Sequence, residues 1–407
     1  MTDHFNNEKV SQSSFWQAEK IAGNDDLLRE ILTRLPGTSL LRFRCVCRHW
    51  HSLITTPDFR QLQSCRSTTT ASGIFLFRKS DIRYHLDHLI SLPKITTKSK
   101  KIPSNIRNFI ESFRSVEPMH FCNGLLCLKL HLDNDEVFYC VYNPCTNRYT
   151  NIPKPDMNMD DEEVVAMNLA FDPLKSSDYK IVCVVRDNRL GLLRFLTFCS
   201  EFTWKESGQQ VRVRGDEYYY LGKGVFLNGA IHLVSKSSPF LCFDVDNECL
   251  KIMPSTSIPE GNNGRKIKYF GESAEKLHLI EEDVVRSTLL NVFELEKDYS
   301  KWFMKYVVDV EVLTRLFPRM VFNEPEAVDA IGYQFDVLCF LDGEKEGKTM
   351  LMLSLPEKII SYDIKNMNIE ELWKVQLEEV HLNMEGFLVY NYKWYHAYKH
   401  IETLAPV

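Results

Sequence analysis

Apolar residues in the first part of the chain, residues 24–59, follow the period of short amphipathic helices. The first run places five apolar side chains on one helical face: Leu27, Leu28, Ile31, Leu32 and Leu35. Asn24 is the expected N-cap, and Pro36 with Gly37 ends this run. A second run starts at Thr38 or Ser39 and keeps helical spacing up to Pro57 through Leu40, Leu41, Phe43, Val46, Cys47, Trp50, Leu53 and Ile54. The pattern predicts two or three short helices.

This helical unit is too small to bury all of its own apolar side chains. One interpretation is that the helices pack against the rest of the chain, as amphipathic helices commonly do. The other is that the excess apolar surface is a docking face for another protein. The sequence leaves both interpretations open.

From residue 121 onward the pattern changes to short apolar strands separated by Gly, Asn, Asp and Ser. One half of the repeating unit resembles CNGLLCL at 122 or FLNGAIHLV at 226, and the other resembles VYNPCTNRYTNIP at 141. Each half predicts a hairpin, so one unit predicts a four-stranded sheet. Four intervals between Tyr142 and Tyr362 give a mean period of about 55 residues, which is typical of kelch-like propeller blades.

Five such units, with further strand material at 73–77 and 386–398, predict about six blades. The last blade would be closed by strands from opposite ends of the region. The expected fold class is therefore α+β multidomain, with a small all-α module followed by a large all-β domain that is a kelch-like β-propeller. A two-sheet sandwich is the alternative, since several repeats are degenerate.

Composition divides the chain into four segments. Residues 1–20 are polar and are expected to form a disordered tail, and residues 21–62 form the helical module. Residues 63–120 are expected to be a linker that holds a first β-strand and a basic segment with KSKK at 98–101. That basic run lacks interleaved aromatics, so we interpret it as a solvated loop. Residues 121–407 form the β domain.

Overall charge and cysteine usage restrict the cellular context. The chain has 55 acidic and 49 basic residues and a net charge of -6, which argues against nucleic-acid binding through overall charge. The 12 cysteines lie mostly within apolar runs and are interpreted as reduced thiols, which predicts residence in the cytoplasm and/or nucleus. No secretory signal and no apolar stretch of about 18 residues is evident, so no membrane association is expected.

Candidate catalytic and metal-binding groups do not form a convincing set. Cys122 with Cys127 and Cys140 with Cys145 lack the two-residue gap of a zinc knuckle, so structural cysteine is the preferred interpretation. His85 and His88 have no second ligand pair and are expected in a solvated loop. No phosphate-binding loop or nucleophile elbow is present in the sequence. We therefore predict no cofactor, no metal and no catalytic residue.

Two long segments resemble known families. Residues 24–59, NDDLLREILTRLPGTSLLRFRCVCRHWHSLITTPDF, resemble an F-box, in particular the plant version. Most of residues 115–407 resemble the F-box-associated domain of plant F-box proteins. That second resemblance is carried by CNGLLCL, VYNPCTNRYTNIP, AFDPLKSSDYKIVCVV, VFLNGAIHLV, FLCFDVDNE and the terminal HIETLAPV.

The resemblance implies the substrate-recognition subunit of a Skp-cullin-F-box ubiquitin ligase. It would bind a Skp-type adaptor, and through it cullin, while the β domain binds an unidentified target protein and performs no catalysis. The adaptor contacts that the resemblance implies are Leu28, Ile31, Leu32, Pro36, Val46, Cys47 and Trp50.

The family usually begins its F-box with Leu-Pro, and this chain has Gly23 and Asn24 there, which implies weaker assembly with the adaptor. The alternatives are an adaptor-independent binding module with a degenerate F-box, and a propeller enzyme or glycan binder.

Overall fold

The structure is a computed structural model of the chain. It describes residues 23–67, 73–80, 84–91, 104–134, 136–158, 160–199, 203–212, 224–236, 239–256, 266–283, 285–323, 331–343, 348–356, 358–374, 380–382, 388–390 and 392–407. The predicted disordered tail at 1–20 and the KSKK run at 98–101 lie outside these residues. Among the described residues, no helix combines the length and apolar character needed to cross a membrane.

Four short helices form the N-terminal module. They are α1 (Asp25–Leu32), α2 (Gly37–Phe43), α3 (Arg48–Thr55) and α4 (Pro57–Ser67). Asn24 caps α1 as predicted, because its side-chain oxygen accepts hydrogen bonds from the backbone N–H groups of Asp26 (3.0 Å) and Leu27 (3.1 Å). Helix α4 begins at Pro57, where the sequence pattern predicted the end of the second helical run, and it extends past the predicted end of the module at residue 62. Proline is tolerated in the first turn of a helix, because the N–H it lacks has no partner there.

The rest of the described chain is built mainly from strands. The first ten are β1 (Gly73–Ser80), β2 (Tyr84–Ser91), β3 (Ser115–Cys122), β4 (Leu125–His131), β5 (Val137–Asn143), β6 (Arg148–Ile152), β7 (Glu162–Ala170), β8 (Lys180–Asp187), β9 (Leu192–Phe198) and β10 (Trp204–Arg212). The next eight are β11 (Val225–Leu227), β12 (Ala230–Leu233), β13 (Phe240–Asp244), β14 (Cys249–Met253), β15 (Ile267–Ser273), β16 (Lys276–Glu282), β17 (Leu289–Leu295) and β18 (Trp302–Asp309). The last nine are β19 (Val321–Asn323), β20 (Ile331–Tyr333), β21 (Asp336–Asp342), β22 (Thr349–Leu355), β23 (Lys358–Asp363), β24 (Ile369–Lys374), β25 (Val380–Leu382), β26 (Leu388–Tyr390) and β27 (Tyr392–His400). Two further helices are α5 (Ser104–Glu111) and α6 (Glu311–Leu316), and a 3₁₀ turn spans Pro318–Met320.

These strands form five four-stranded antiparallel sheets and one three-stranded sheet, which we number as blades. Blade 1 contains β3 to β6, blade 2 β7 to β10, blade 3 β11 to β14, blade 4 β15 to β18 and blade 5 β21 to β24. Blade 6 has the order β2-β1-β27. Two short hairpins, β19–β20 and β25–β26, stand outside the blades. The predicted β-propeller of about six blades is confirmed.

The innermost strands of the blades follow one another around a closed ring. The first strand of each blade from β3 to β21 contacts the first strand of the next, and β21 contacts β27. The ring closes where Phe121 of β3 stacks on Tyr398 of β27, with ring centroids 5.8 Å apart. A radial arrangement of this kind differs from the two facing layers of a sandwich, so the sandwich alternative is wrong.

Blade 6 joins the two ends of the β domain, as the sequence predicted. Strand β1 pairs with β27 in antiparallel register, from Gly73 opposite His400 to Ser80 opposite Tyr392. The expected linker needs correction here, because β1 and β2 belong to a propeller blade and blade 1 already begins at Ser115. His85 and His88 lie in β2 and not in the expected loop. Whether this segment forms a blade depends on the pairing of β1 with the distant strand β27, and local composition carries no information about that pairing.

The core consists of apolar side chains pressed between neighbouring blades. Phe195 of blade 2 and Phe243 of blade 3, for example, stack with ring centroids 5.2 Å apart. None of the twelve cysteines, all of which lie within the described residues, is in a disulfide, and the four that were candidate metal ligands are buried. Burial raises the pKa of the Cys122 and Cys140 thiols to about 12. A buried thiol kept protonated behaves as a small apolar residue, which agrees with the structural interpretation.

Candidate protein-interaction surface of the helical module

Helix α1 has two apolar rows with opposite exposure. Leu28 and Leu32 are 2% and 1% exposed, whereas Leu27 and Ile31 are 49% and 46% exposed. Residues four apart lie one above the other on a helix, so each pair forms one row. The inner row completes the core of the module, and the outer row leaves apolar side chains in solvent.

The turn before α3 adds a second apolar element to the exposed surface. Val46 is 59% exposed, and Cys47 is also exposed while its sulfur accepts a hydrogen bond from the backbone N–H of Trp50 at 3.5 Å. Trp50 is half-buried and meets Phe43 edge to face, with ring centroids 5.6 Å apart. Pro36 is exposed at the start of α2. We call Leu27, Ile31, Pro36, Val46 and Cys47 the exposed F-box face.

The structure places two of the implied adaptor contacts in the core of the module. Leu28 and Leu32 are enclosed by other apolar residues of the module and by two from the β domain, and direct contact with a partner would require them to leave this core. The enclosing set is Leu40, Leu53, Ile54, Phe59, Cys145 and Leu404. Leu27 was assigned to the helical module but not to the contacts, although the structure exposes it beside Ile31. The helical period detects the wide apolar stripe and does not divide it into an inner and an outer row.

Ion pairs fix the orientation of α1 in the module. Arg66 of α4 donates to Glu30 Oε2 and Thr33 Oγ1, both at 2.8 Å. Hydrogen bonds from Arg66, and next from Arg34, lower the pKa of the Glu30 carboxyl. His49 Nε2 lies 2.9 Å from an Asp25 carboxylate oxygen and links α3 to the start of α1. Exposed pairs of this kind contribute little stability each, and here they link α1 to α3 and α4.

The helical module is attached to the propeller by the last residues of the chain. Glu402 Oε2 accepts hydrogen bonds from the backbone N–H and the hydroxyl of Thr38, both at 2.9 Å. Gln63 donates to the Glu402 carbonyl at 3.2 Å and accepts from the backbone N–H of Leu404 at 3.1 Å. The Ser64 and Thr403 hydroxyls lie 2.6 Å apart. Helices α2 and α4 therefore both bind the same C-terminal strap, residues 400–407.

Asn143 anchors this strap to blade 1. Its amide nitrogen donates to the carbonyls of Thr403 (3.1 Å) and Ala405 (2.9 Å), and its oxygen accepts from the backbone N–H of Cys145 (2.9 Å). Asn143 is 0% exposed. The backbone of Gly37 comes so close that a Cβ there would lie 2.6 Å from the Cys145 sulfur. The helical module and blade 1 consequently share one core.

One side-chain cluster among the described residues has the ligand types of a metal site. His278, Glu294 and Asp342 bring their ligand atoms within 4.8 Å of one another between blades 4 and 5. The Lys305 ammonium already contacts both carboxylates, and Lys276 binds the other Glu294 oxygen at 2.8 Å. These ammonium groups satisfy the carboxylates, so the cluster is an ion-pair network between blades.

The structure therefore has two parts: a small helical module that exposes an apolar face, and a β-propeller to which this module is fastened. Comparison with known families gives the same division. The family described as "F-box associated beta propeller domain" matches residues 73–313, and the family described as "F-box domain" matches residues 24–62. The chain belongs to the F-box proteins that carry an F-box associated β-propeller domain.

Individual relatives agree with this assignment. "F-box protein At5g07610" of Arabidopsis thaliana is 28% identical over 409 residues, covering 95% of this chain and 93% of that protein. "F-box protein At3g07870" of the same species is 27% identical over 261 residues, covering 56% of this chain and 59% of that protein. Among solved structures, a chain of a nidogen/laminin complex has a TM-score of 0.39 at 10% identity, covering 81% of this chain and all of that chain.

Proposed function

We propose that this chain is the substrate-recognition subunit of a Skp-cullin-F-box ubiquitin ligase. The observation that carries the proposal is the exposed F-box face, where Leu27, Ile31 and Val46 are each about half exposed. The core of the module is complete without them, because Leu28 and Leu32 already fill it. An apolar surface that the fold does not need is typical of a docking site, and a Skp-type adaptor is the partner that F-box membership implies.

The attachment of the module to the propeller suits this role. Hydrogen bonds from α2 and α4 to the strap, together with Asn143, hold the F-box at one orientation to the blades. A target bound to the propeller would thus be held at a defined position relative to the adaptor and cullin. A fixed position raises the effective concentration of the target near the charged ubiquitin. The thioester chemistry would belong to the conjugating enzyme, and this chain would be non-catalytic.

The proposal extends to the partners and the compartment. The propeller would bind a protein target, and membranes and nucleic acids would not be partners. Twelve cysteines without a disulfide suit a reducing compartment, so we place the protein in the cytoplasm and/or nucleus.

The second candidate function is an adaptor-independent binding module. The observation in its favour is Gly23-Asn24 at the position where the family usually has Leu-Pro. Asn24 still caps α1, so the helices do not depend on the missing proline. Any loss would therefore concern the contact with the adaptor and not the fold of the module.

Copurification of the full chain with a Skp-type adaptor separates the two functions. We expect the wild-type chain to retain the adaptor and Ile31→Asp to lose it, because the aspartate places a charge in a buried apolar contact. Leu190→Asp is the matched control: Leu190 is 57% exposed between β8 and β9, away from the F-box, and this variant should retain the adaptor. Failure of the wild-type chain to bind, or equal retention by Ile31→Asp, would contradict the proposal.

A further inference from the structure

Three arginines converge where the helical module meets blade 1. Arg44 is the C-cap of α2, Arg60 is the fourth residue of α4, and Arg148 is the first residue of β6. Arg148 is distant from the other two in the sequence, and the packing of the F-box against blade 1 brings it to them. We call Arg44, Arg60 and Arg148 the arginine cluster.

A shared core holds the arginine cluster at this place. Each of the three arginines lies within four residues of a member of one buried apolar cluster. In the same order, these members are Leu40, Phe59 and Cys145. The backbone of Gly37 at the start of α2 also comes close to the Cys145 sulfur. The elements that carry the three arginines are therefore fixed against one another.

The three positive charges are close enough to act on one another. Burial of part of the Arg60 side chain, and next the positive charges of Arg44 and Arg148, lower the pKa of the Arg60 guanidinium. Arginine still keeps its proton at neutral pH. The folded chain therefore holds three like charges together, and their repulsion is a cost that a bound anion would offset.

The carboxylates of the helical module do not neutralise this charge. Residues 24–67 contain seven arginines and only four acidic residues, although the whole chain has a net charge of -6. Glu30 is already paired with Arg66 at 2.8 Å. Asp58 stands two residues before Arg60, and residues at that spacing do not face each other on a helix. Within the part of the chain that the structure describes, no carboxylate forms an ion pair with the arginine cluster.

The arginine cluster is accessible from solvent. Arg148 is exposed, and Arg44 and Arg60 are half-buried. A half-buried arginine commonly packs its aliphatic stem on the protein and keeps its charged end in water. A dissolved ligand can therefore reach the guanidinium groups.

The charge and the donors of the cluster fit a phosphoryl group. Each guanidinium presents five N–H donors in a planar fork that matches the oxygens of a phosphate. A phosphoryl group carries a charge of about -1.5 to -2 and three strong acceptor oxygens, so it can bind guanidinium groups from several sides. A carboxylate has one negative charge and two oxygens, and it would leave more of the positive charge unmatched.

We propose that the arginine cluster is a binding site for a phosphoryl group at the junction of the F-box and blade 1. The group belongs to a phosphorylated side chain of another protein or to a free phosphate ester, and both present the same oxygens. Bound there, it links α2 and α4 to β6 and adds to the attachment that the C-terminal strap provides. This site goes beyond the proposed function, because it does not require that an adaptor binds.

Thermal unfolding of the full-length chain at increasing concentrations of inorganic phosphate tests the site. Sodium chloride holds the ionic strength constant, so that general screening of charge is the same in every sample. A ligand that binds only the folded chain raises the unfolding midpoint with its concentration, which gives an apparent affinity. Acetate is the comparison anion.

Four chains are compared in this experiment: the wild type, Arg60→Gln, Arg148→Gln and the control Arg42→Gln. Arg42 is exposed and lies on α2 two residues before Arg44, so it faces another side of the helix. The control removes the same charge from the helical module and leaves the arginine cluster intact. Arg148 is exposed, so its variant keeps the fold even if the half-buried Arg60 contributes to packing.

We expect the wild-type chain and Arg42→Gln to bind phosphate at least about tenfold more tightly than acetate. The apparent affinity for phosphate should fall at least about tenfold in Arg60→Gln and in Arg148→Gln. Equal effects of phosphate and acetate on the wild-type chain would overturn the inference. Equal effects of phosphate on all four chains would overturn it as well.

A peptide array probed with the labelled full-length chain identifies the source of the phosphoryl group. Each peptide is present with a central phosphoserine, serine or glutamate and with the same flanks. A preference for phosphoserine that is lost in Arg60→Gln assigns the site to a phosphorylated protein. Phosphate binding without that preference assigns it to a free phosphate ester. Adaptor retention by the same preparations is scored separately, so failure of the ligase role and failure of this site give different results.

Discussion

Asn143 offers the most direct perturbation of the contact between the F-box and the propeller. In Asn143→Ala the strap loses the two hydrogen bonds to its Thr403 and Ala405 carbonyls. The β5–β6 turn loses the bonds from the N–H groups of Cys145 and Thr146 to the asparagine oxygen. The site is fully buried, so backbone groups that lose this partner gain no water in exchange.

The size of the stability loss follows from the number of backbone groups that lose Asn143 as their hydrogen-bond partner. Three of the four lost partners belong to buried residues, and each net hydrogen bond contributes about 1 kcal/mol, more where a buried group is left unsatisfied. We therefore expect Asn143→Ala to reduce the free energy of unfolding by about 3 to 5 kcal/mol. The matched control is Asn247→Ala, where an exposed turn asparagine loses one bond to Asp244 at 3.0 Å and the cost should stay below about 1 kcal/mol.

Urea denaturation followed by tryptophan fluorescence measures both variants. Trp50 reports on the F-box, and Trp204 and Trp302 report on blades 2 and 4, so single-tryptophan versions separate the two parts. The Trp50 transition should move to lower urea in Asn143→Ala, because the strap that holds α2 and α4 is released. An Asn143→Ala cost no larger than that of Asn247→Ala would refute the reasoning that this residue joins the two parts.

Three further predictions follow from the same contacts. Leu32→Ala should cost about 2 to 5 kcal/mol of stability, whereas Ile31→Ala should cost less than about 1 kcal/mol and weaken adaptor binding; urea titration and adaptor titration of both variants check this. Gly37→Ala should destabilise the chain by about 1 to 3 kcal/mol because its Cβ meets the Cys145 sulfur, and Cys145→Ala should restore much of that loss in the double variant, as thermal melts would show. Stability should decline as the pH falls from about 6.5 towards 4, because burial lowers the pKa of three histidines to about 4 and the unfolded chain then binds more protons than the folded chain. Each histidine contributes about 3 kcal/mol of stability above pH 6.5, and this contribution is lost over that pH range. Unfolding midpoints that do not change with pH would contradict this prediction. The three histidines are His120, His232 and His400.

The sequence allowed the propeller to be predicted because its signal is local and repeated. Each hairpin carries its own turn residues, such as Asn123-Gly124 and Asn228-Gly229, and all four of these residues have positive φ. Repetition at a similar interval adds evidence from every unit. The pairing of β1 with β27 was predictable, because a ring of blades closes when one blade takes its strands from both ends of the domain.

The division of the F-box into core and surface could not be predicted from the sequence. Leu27 and Leu28 are chemically identical neighbours, and their exposures of 49% and 2% differ only through what packs against α1. Part of that packing comes from Cys145 and Leu404, which are far away in the chain. Periodicity describes one helix and carries no information about such partners.

A groove of about 350 Å³ that Pro254, Glu281 and Trp302 help to line was also missed, for a related reason. Its residues come from three strands and a connecting segment, and none of them forms a motif in the sequence. Thr256 and Glu281 meet only because the segment that follows blade 3 lies against blade 4. Sites assembled across blade boundaries depend on tertiary structure, which repeat patterns do not specify in residue detail.

The central claim is that the exposed F-box face binds a Skp-type adaptor, and its most direct test is the dissociation constant of the purified adaptor for the full chain. The account predicts measurable binding by the wild-type chain and by Leu190→Asp, and binding weakened by at least about tenfold in Ile31→Asp and in Val46→Asp. Circular dichroism should show that all four proteins remain folded, since every altered side chain is about half exposed. Absence of binding by the folded wild-type chain, or equal dissociation constants for all four proteins, would contradict the account.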